Sequence, residues 1–322
     1  MSIKVDILLS VYNSGLYIKE LIDSLFRQTY EDWRLIIRDD CSTDNTVDII
    51  NGYLSLYSEK VILVKNNEGR LGSCHGFARL LSESTAPYIM FCDQDDKWLP
   101  EKVEKTLAAM EGLEKKYAGK PLLVHTDMMV ADRRLNVISD SFWRYQHINP
   151  ELKTLNRLLV LNNVTGCTMM VNSALRELST PVAPEALMHD WWLALVASAF
   201  GHIEYLREPT MLYRQHGGNE AGAARYSLRY FIARAKNLDK SAALARRIVA
   251  QAGAFFFAYG DRLAGPDRDA AQGLSTLLEK PRAARLATLL RYGLRGYGLA
   301  RSLGITALFV LMDGKSHKGA AG

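Results

Sequence analysis

Across roughly its first 95 residues the chain alternates short apolar runs with amphipathic ones, and this alternation constrains the fold more than any other feature. Val5 to Val11 reads as a strand, and Tyr17 to Gln28 then places Ile18, Leu21, Ile22 and Leu25 at helical spacing. Arg34 to Ile37 gives a second strand, with Ser42, Thr43 and Asp44 as N-cap candidates for a helix running to about Ser58. A strand at Val61 to Val64, a helix from Gly72 to about Ser84 and a strand at Tyr88 to Cys92 complete the series. Strands and helices in strict alternation predict a mostly parallel sheet with helices on both faces. Ligands bind such sheets beyond the C-terminal strand ends. Three polar clusters fall there: Tyr12-Asn13-Ser14, Asp39-Asp40 and Asp93-Gln94-Asp95-Asp96. They are expected to face one crevice.

The third cluster carries three carboxylates in four residues, directly after the apolar YIMFC. At about 5 Å and an effective dielectric of about 20, each pair repels by roughly 3 kcal/mol. A divalent cation removes that repulsion, and hard oxygen donors suit Mg²⁺ or Mn²⁺, which bind substrate phosphates beside one or two carboxylates. Taken alone, the turn also fits a solvated loop before a helix with Pro100 in its first turn. Asp39 and Asp40 can accept from a base N–H or ribose hydroxyls, and Tyr12 can lie against a ring. Singly, Asp40 also fits a helix cap and Tyr12 a packing role; together the clusters form a pattern.

Farther along, the pattern predicts a helix from Pro100 to about Tyr117, a strand from Leu122 to Val130, a turn at Asp132-Arg133-Arg134 and an aromatic loop with Phe142, Trp143, Tyr145 and His147. Thr165 to Val171 reads as a strand, His189 to Phe200 as a helix capped by Asp190, and Thr210 to Arg214 as a last strand.

The stretch VDILLSVYNSGLYIKELIDSLFRQTYEDWRLIIRDDCSTDNT, then NNEGRLG, then YIMFCDQDDKWLPEKV, resembles the inverting glycosyltransferase family 2, over about residues 3 to 220. The resemblance implies the GT-A fold, a Rossmann-like, mostly parallel sheet, here followed by a C-terminal helical region. It implies that Asp40 binds a pyrimidine base with Tyr12 stacking and Asp39 in support. It also implies that Asp93 and Asp95 form the D-x-D element, Asp95 as direct metal ligand and Asp93 near the ribose. Cys41 departs from the family's more usual glycine.

An inverting transfer needs a general base opposite the leaving diphosphate. Asp190 in MHDWWLALVASAFG is the candidate, with helix capping as the alternative. His216 in LYRQHGGN is placed to touch the metal or diphosphate, and Arg214 to neutralise phosphate, against ordinary hydrogen-bonded or surface roles for each. Gly166 and Cys167 resemble the family's acceptor-side strand. Trp191, Trp192, Trp143 and Tyr145 fit either sugar stacking or core packing. VTGCTMMVN, HDWWLALVASAFG and YRQHGGN are most similar to the rhamnosyltransferase-type branch, which implies a dTDP-L-rhamnose donor, or a UDP-sugar, and a saccharide or glycolipid acceptor in surface polysaccharide or lipopolysaccharide assembly.

Two rival readings belong to other classes. A sugar-nucleotide nucleotidyltransferase carries a Gly-rich basic loop after its first strand, which SVYNSGLY is not. A non-catalytic membrane-associated scaffold has no need of Asp40, Asp95 and Asp190 together.

The chain's net charge of +5 hides an asymmetry. Residues 221–322 hold 17 Lys/Arg and 6 Asp/Glu, whereas residues 1–220 hold 23 and 29. This predicts a domain at 1–220 and a basic, mostly helical region at 221–322, with breaks near Gly260 to Pro266 and at Pro281. SLRYFIARAKNL and RLATLLRYGLRGYGLARSLGITALFVLM suit helices lying on an anionic membrane surface; a cap over the core or an oligomer contact are the alternatives. The apolar run from Ile305 to Met312 is far shorter than the roughly 20 residues of a spanning helix. No nucleic-acid-binding motif, P-loop or dinucleotide fingerprint accompanies the charge. Cys41, Cys74, Cys92 and Cys167 form neither a disulfide framework nor a zinc spacing, and the N-terminus does not read as a signal peptide. The expected location is cytoplasmic, peripheral on the inner membrane.

Overall fold

The fold is that of a computed structural model describing residues 3–217 and 238–312. The segment SLRYFIARAKNL therefore lies outside the described residues, save the backbone of Leu238. The chain divides into two compact units. One holds the residues up to Pro150, Val164–Pro184 and the stretch from Met188; the other holds Glu151–Asn163, Glu185–Leu187 and the C-terminal region.

The first unit begins β1 (Val5–Val11), α1 (Ile18–Leu25), β2 (Trp33–Asp39), α2 (Thr46–Leu56), β3 (Val61–Leu63), α3 (Gly72–Glu83) and β4 (Tyr88–Cys92). It continues with β5 (Lys97–Trp98), α4 (Lys102–Lys116), β6 (Leu122–Ala131), β7 (Val137–Ser139) and α5 (Phe142–Gln146). After α6 (Leu155–Leu158), which belongs to the second unit, come a 3₁₀ turn (Gly166–Thr168), β8 (Met169–Asn172), α7 (Ser173–Ser179), α8 (His189–Phe200) and β9 (His202–Arg214).

Among the described residues nine strands form one sheet in the order β3-β2-β1-β4-β8-β6-β9-β5, with β7 on β6. β3, β2, β1 and β4 are parallel; β8 enters antiparallel between β4 and β6. Strands buried on both faces read as continuous apolar runs, and Val5, Ile7, Leu8 and Leu9 of β1 are all fully buried. Ile18, Leu21, Ile22 and Leu25 of α1 fill the core from one side, as their spacing predicts. The buried Asp6 in β1 is a structural carboxylate: it accepts both Arg34 guanidinium bonds at 3.0 Å and also Ser84 Oγ at 2.8 Å.

Three expectations are corrected. Thr165 to Val171 is not one strand: Gly166–Thr168 closes a 3₁₀ turn and only Met169–Asn172 pairs. The aromatic segment is not a loop, because Asp127 accepts from the Phe142 and Trp143 amides and Ser141 Oγ caps Arg144 N, which winds it into α5. Asp190 is not the cap of α8; Met188 holds that position and Asp190 lies in the first turn.

Among the described residues the second unit contains four further α-helices: α9 (Leu238–Tyr259), α10 (Gly265–Ser275), α11 (Arg282–Arg291) and α12 (Leu299–Leu311). Asn156 and Arg157 of α6 donate to the carbonyls of Tyr292 and Gly296, joining the short helix to the α11–α12 connection. Arg285 is buried, and its guanidinium donates to the carbonyls of Lys280, Leu278, Phe309 and Met312. A cation is favourable at these carbonyl ends.

Candidate active site

Register brings the three polar clusters to one edge. β1 pairs Val11 with Asp39 and Leu9 with Cys92, so Tyr12, Asp40 and Asp93 all leave the sheet on the same side. Between β1 and β4 the strand order reverses, the usual place for a ligand crevice in such sheets. Gln94 ties two clusters together: its side chain accepts from Tyr12 N at 2.7 Å and donates to Tyr12 O at 3.2 Å. Asn13 N donates to Ser42 Oγ, and Thr43 N donates to Asn13 Oδ1, which joins the first loop to the second.

Asp40 is 3% exposed, and its carboxylate is engaged by Arg38 and by the amides of Leu71 and Gly72 at 2.7 and 2.8 Å. Burial raises its pKa, but these amide and guanidinium bonds prevail and hold it below the usual carboxylate range. It thereby fixes the start of α3. Arg70, just before that start, lies 3.8 Å over the Tyr12 ring. Asp39 Oδ2 accepts from Ser42 N, whereas its Oδ1 is buried without a partner among the described residues.

The acidic turn spans the gap between β4 and β5. β5 pairs Lys97 with Leu212 in antiparallel register, which carried two residues further sets Asp95 opposite Arg214. Arg214 Nε donates to the Asp95 carbonyl at 2.7 Å and Arg214 N to Asp96 Oδ1 at 3.0 Å. Its other guanidinium nitrogens donate to Arg133 O and to Glu20. Arg214 is thus placed at the turn and holds its backbone. Two residues on, His216 Nε2 lies 2.7 Å from Asp95 Oδ2, and the imidazole stacks on Tyr17 with centroids 4.8 Å apart.

The structure brings Asp95 to His216 and groups Asp93 with others. Asp93, Asp96 and Cys167 offer ligand atoms all within 4.8 Å of one another. The antiparallel pairing of β4 with β8, extended three residues past Met90 and Met170, puts Cys167 opposite Asp93. Cys167 is 1% exposed. Burial, then the Asp95 and Asp93 charges, push Asp96 well above the usual carboxylate range, and its Oδ2 has no partner among the described residues.

Lys102 escaped the sequence reading. It is wholly buried, with Nζ 3.2 Å from Thr210 Oγ1 and 4.7 Å from the Trp98 ring centroid. Burial lowers its pKa to about 8, against the opposing fields of Cys167, Cys92, Asp96 and Asp93. Nothing in KWLPEKVEK marks this lysine as internal. With Lys102 beside the turn and the ionised form of Asp96 disfavoured by burial, the turn's own repulsion is partly relieved. The reason to place a cation here is therefore the mixed oxygen and nitrogen donor pair of Asp95 and His216, with side chains 12% and 15% exposed.

Across the edge, Asp190 Oδ2 accepts from Gly166 N at 2.9 Å, and Asp190 is 8% exposed. Burial raises its pKa to about 6, although the Gly166 and Trp191 amides oppose this. The turn Gly166–Thr168 thus serves both halves: Gly166 holds Asp190, and Cys167 lies against Asp93 and Asp96. His189 is buried between Phe77 and Phe91 at centroid distances of 4.3 and 5.0 Å, and neither ring nitrogen has a partner among the described residues. Burial depresses its pKa to about 3, so the ring is neutral. A Cβ on Gly166 would meet His189 Nε2 at 2.8 Å and Cε1 at 3.1 Å. Gly166→Ala is therefore expected to cost about 1–3 kcal/mol in a urea titration. Trp191 is 8% exposed and Trp192 is core, its Nε1 donating to Ser179 O; Trp143 is buried beside His125.

Residues 6–179 match the family described as Glycosyl transferase family 2. The dTDP-rhamnosyl transferase RfbG of Shigella flexneri is 25% identical over 226 residues, 67% of this chain and 74% of RfbG. The putative glycosyltransferase EpsE of Bacillus subtilis (strain 168) is 34% identical over 108 residues, 34% of this chain, and the chain spans 38% of its length. A crystal structure of S. aureus TarS in complex with UDP-GlcNAc matches with a TM-score of 0.53 at 17% identity, over 94% of this chain and 89% of that one. The mannosyltransferase PcManGT from Pyrobaculum calidifontis, in complex with GDP-Man and Mn²⁺, gives 0.53 at 17% identity over 96% and 81%. These structural likenesses establish a GT-A fold.

Proposed function

The chain belongs to glycosyl transferase family 2, and from that premise we propose that it is an inverting transferase moving a sugar from a nucleotide diphosphate to a saccharide hydroxyl, in bacterial surface polysaccharide or lipopolysaccharide assembly. The observation that carries this reading is the Gly166–Thr168 turn, which holds a buried carboxylate of raised pKa on one side and abuts the acidic turn on the other. A group titrating near neutrality is suited to accept a proton and release it each cycle. Asp190 takes the proton of the acceptor oxygen as that oxygen attacks the anomeric carbon, and the configuration inverts.

Tyr12 and Arg70 offer a flat cationic platform for a base, and Asp39 Oδ1, which has no partner among the described residues, is an acceptor for a base N–H or ribose hydroxyl. Asp40 contributes by fixing the loop that carries Arg70. Arg214 orients the acidic turn and adds positive charge beside the diphosphate. Asp95 and His216, with Asp93, would hold Mg²⁺ or Mn²⁺, which when bound offsets the charge of the departing nucleotide diphosphate. Gly166, Cys167 and Trp191 mark the acceptor side.

The likeness to RfbG favours dTDP-L-rhamnose as donor, with a UDP-sugar as the alternative. We assign transfer to residues 1–220 and attachment to the cytoplasmic face of the inner membrane, where a lipid-borne acceptor is presented, to residues 221–322. No described helix is long and apolar enough to cross a membrane. A thermal-shift series with dTDP-, UDP- and GDP-sugars in Mn²⁺ tests the donor. At a hundredfold excess over Kd the true donor adds about 2.7 kcal/mol. The largest shift is expected from dTDP-rhamnose; stabilisation by GDP-sugars alone overturns the rhamnose assignment.

A further inference from the structure

The last two helices of the second unit turn leucines to solvent. On α12, Leu299, Leu303 and Leu311 are 78%, 61% and 62% exposed. With Ala307 they recur every fourth residue, so they form one stripe along the helix. On α11, Leu290 is 71% exposed, and Leu286, one turn earlier, 40%. The opposite faces are already used: Leu289 and Phe309 are buried, and Arg285 ties the end of α12 to α11. The outward leucines are therefore not a core face turned the wrong way.

Charge selects what covers them. From Lys280 to Met312 the chain has six basic residues and no acidic one, and Arg282, Arg291 and Arg295 are exposed. A second copy of the chain meeting through this face would set like charges against each other, because a two-fold contact apposes identical patches. At 13 residues α12 is too short to span a bilayer. Leucine stripes beside arginines suit a helix lying in the plane of an anionic membrane.

We propose that the α11–α12 pair is a lipid-docking face: Leu290, Leu299, Leu303 and Leu311 enter the boundary between headgroups and acyl chains, and Arg291 and Arg295 meet lipid phosphates. The inference rests on the membrane-surface reading above for its purpose, not for its geometry. The test is co-sedimentation of the full chain with sucrose-loaded vesicles of phosphatidylcholine, with or without about a third phosphatidylglycerol. The wild type is expected to sediment with the anionic vesicles only and to be released by salt. Leu299→Glu/Leu303→Glu should weaken that partition at least tenfold, and Arg291→Ala/Arg295→Ala about fivefold per residue. A donor thermal shift kept by both variants shows the first unit intact, so failure here is distinguishable from failure of the transferase reading. Equal sedimentation of the wild type and the leucine variant overturns the proposal. So does a wild type that ignores vesicles and is a dimer split by Leu303→Glu.

Discussion

Asp190→Asn is expected to lower turnover by about 10²–10⁴ while making the folded chain more stable above pH 6. Both effects follow from one carboxylate. Asp190 is 8% exposed, and burial lifts its pKa from 3.8 to about 6. Between these values the unfolded chain ionises the group and the folded chain resists, so folding loses stability as the pH rises through the interval. The loss is complete above about 6 and amounts to roughly 3 kcal/mol. The substituted amide carries no charge to bury, and its Oδ1 can still accept the Gly166 N–H. Asp190→Asn should therefore melt several degrees above wild type at pH 8 and no higher at pH 3. The wild-type kcat/KM should fall on the acid side with an apparent pKa near 6, since a protonated Asp190 cannot accept the acceptor proton. Unaltered turnover in the variant removes Asp190 from the base role, and an unaltered melting temperature at pH 8 shows that no charge is buried there.

The parts of this site legible in the sequence are those encoded by local period. β1, β2 and β4 announce themselves as apolar runs, and each hands over to a polar cluster at its end. What stayed hidden is set by pairing partners far along the chain. Lys97–Trp98 is too short to carry a periodic signal, yet as β5 it aligns β9 so that Arg214 and His216 reach Asp95. The apolar Thr165 to Val171 has strand-like composition, but the His189 ring and the Asp190 carboxylate shape its first half into a turn. Lys102 looks like a surface lysine because the Thr210 and Met211 that enclose it lie more than a hundred residues away. Asp40 was legible as a site residue, whereas its bonds to the α3 amides were not.

Removing the Asp95 carboxylate is expected to weaken donor binding about a hundredfold in Mn²⁺ and hardly at all in a chelator. Burial and the Asp95 and Asp93 charges hold Asp96 well above the usual carboxylate range, and Asp93 lies with it and Cys167 in the field of Lys102. These groups already have relief from repulsion. Asp95 and His216 form the remaining donor pair, 2.7 Å apart, with the imidazole fixed against Tyr17. Loss of a group that merely orients a ligand typically costs about 10- to 100-fold in metal affinity, and loss of a ligand at least as much. Asp95→Ala should thus flatten a calorimetric titration of nucleotide sugar in Mn²⁺ to the metal-free level. His216→Ala should fall between variant and wild type. Asp96→Asn should leave the affinity near wild type, because burial and its acidic neighbours already disfavour the ionised form of that carboxyl. If wild-type affinity is the same with and without Mn²⁺, the cation has no place at this turn.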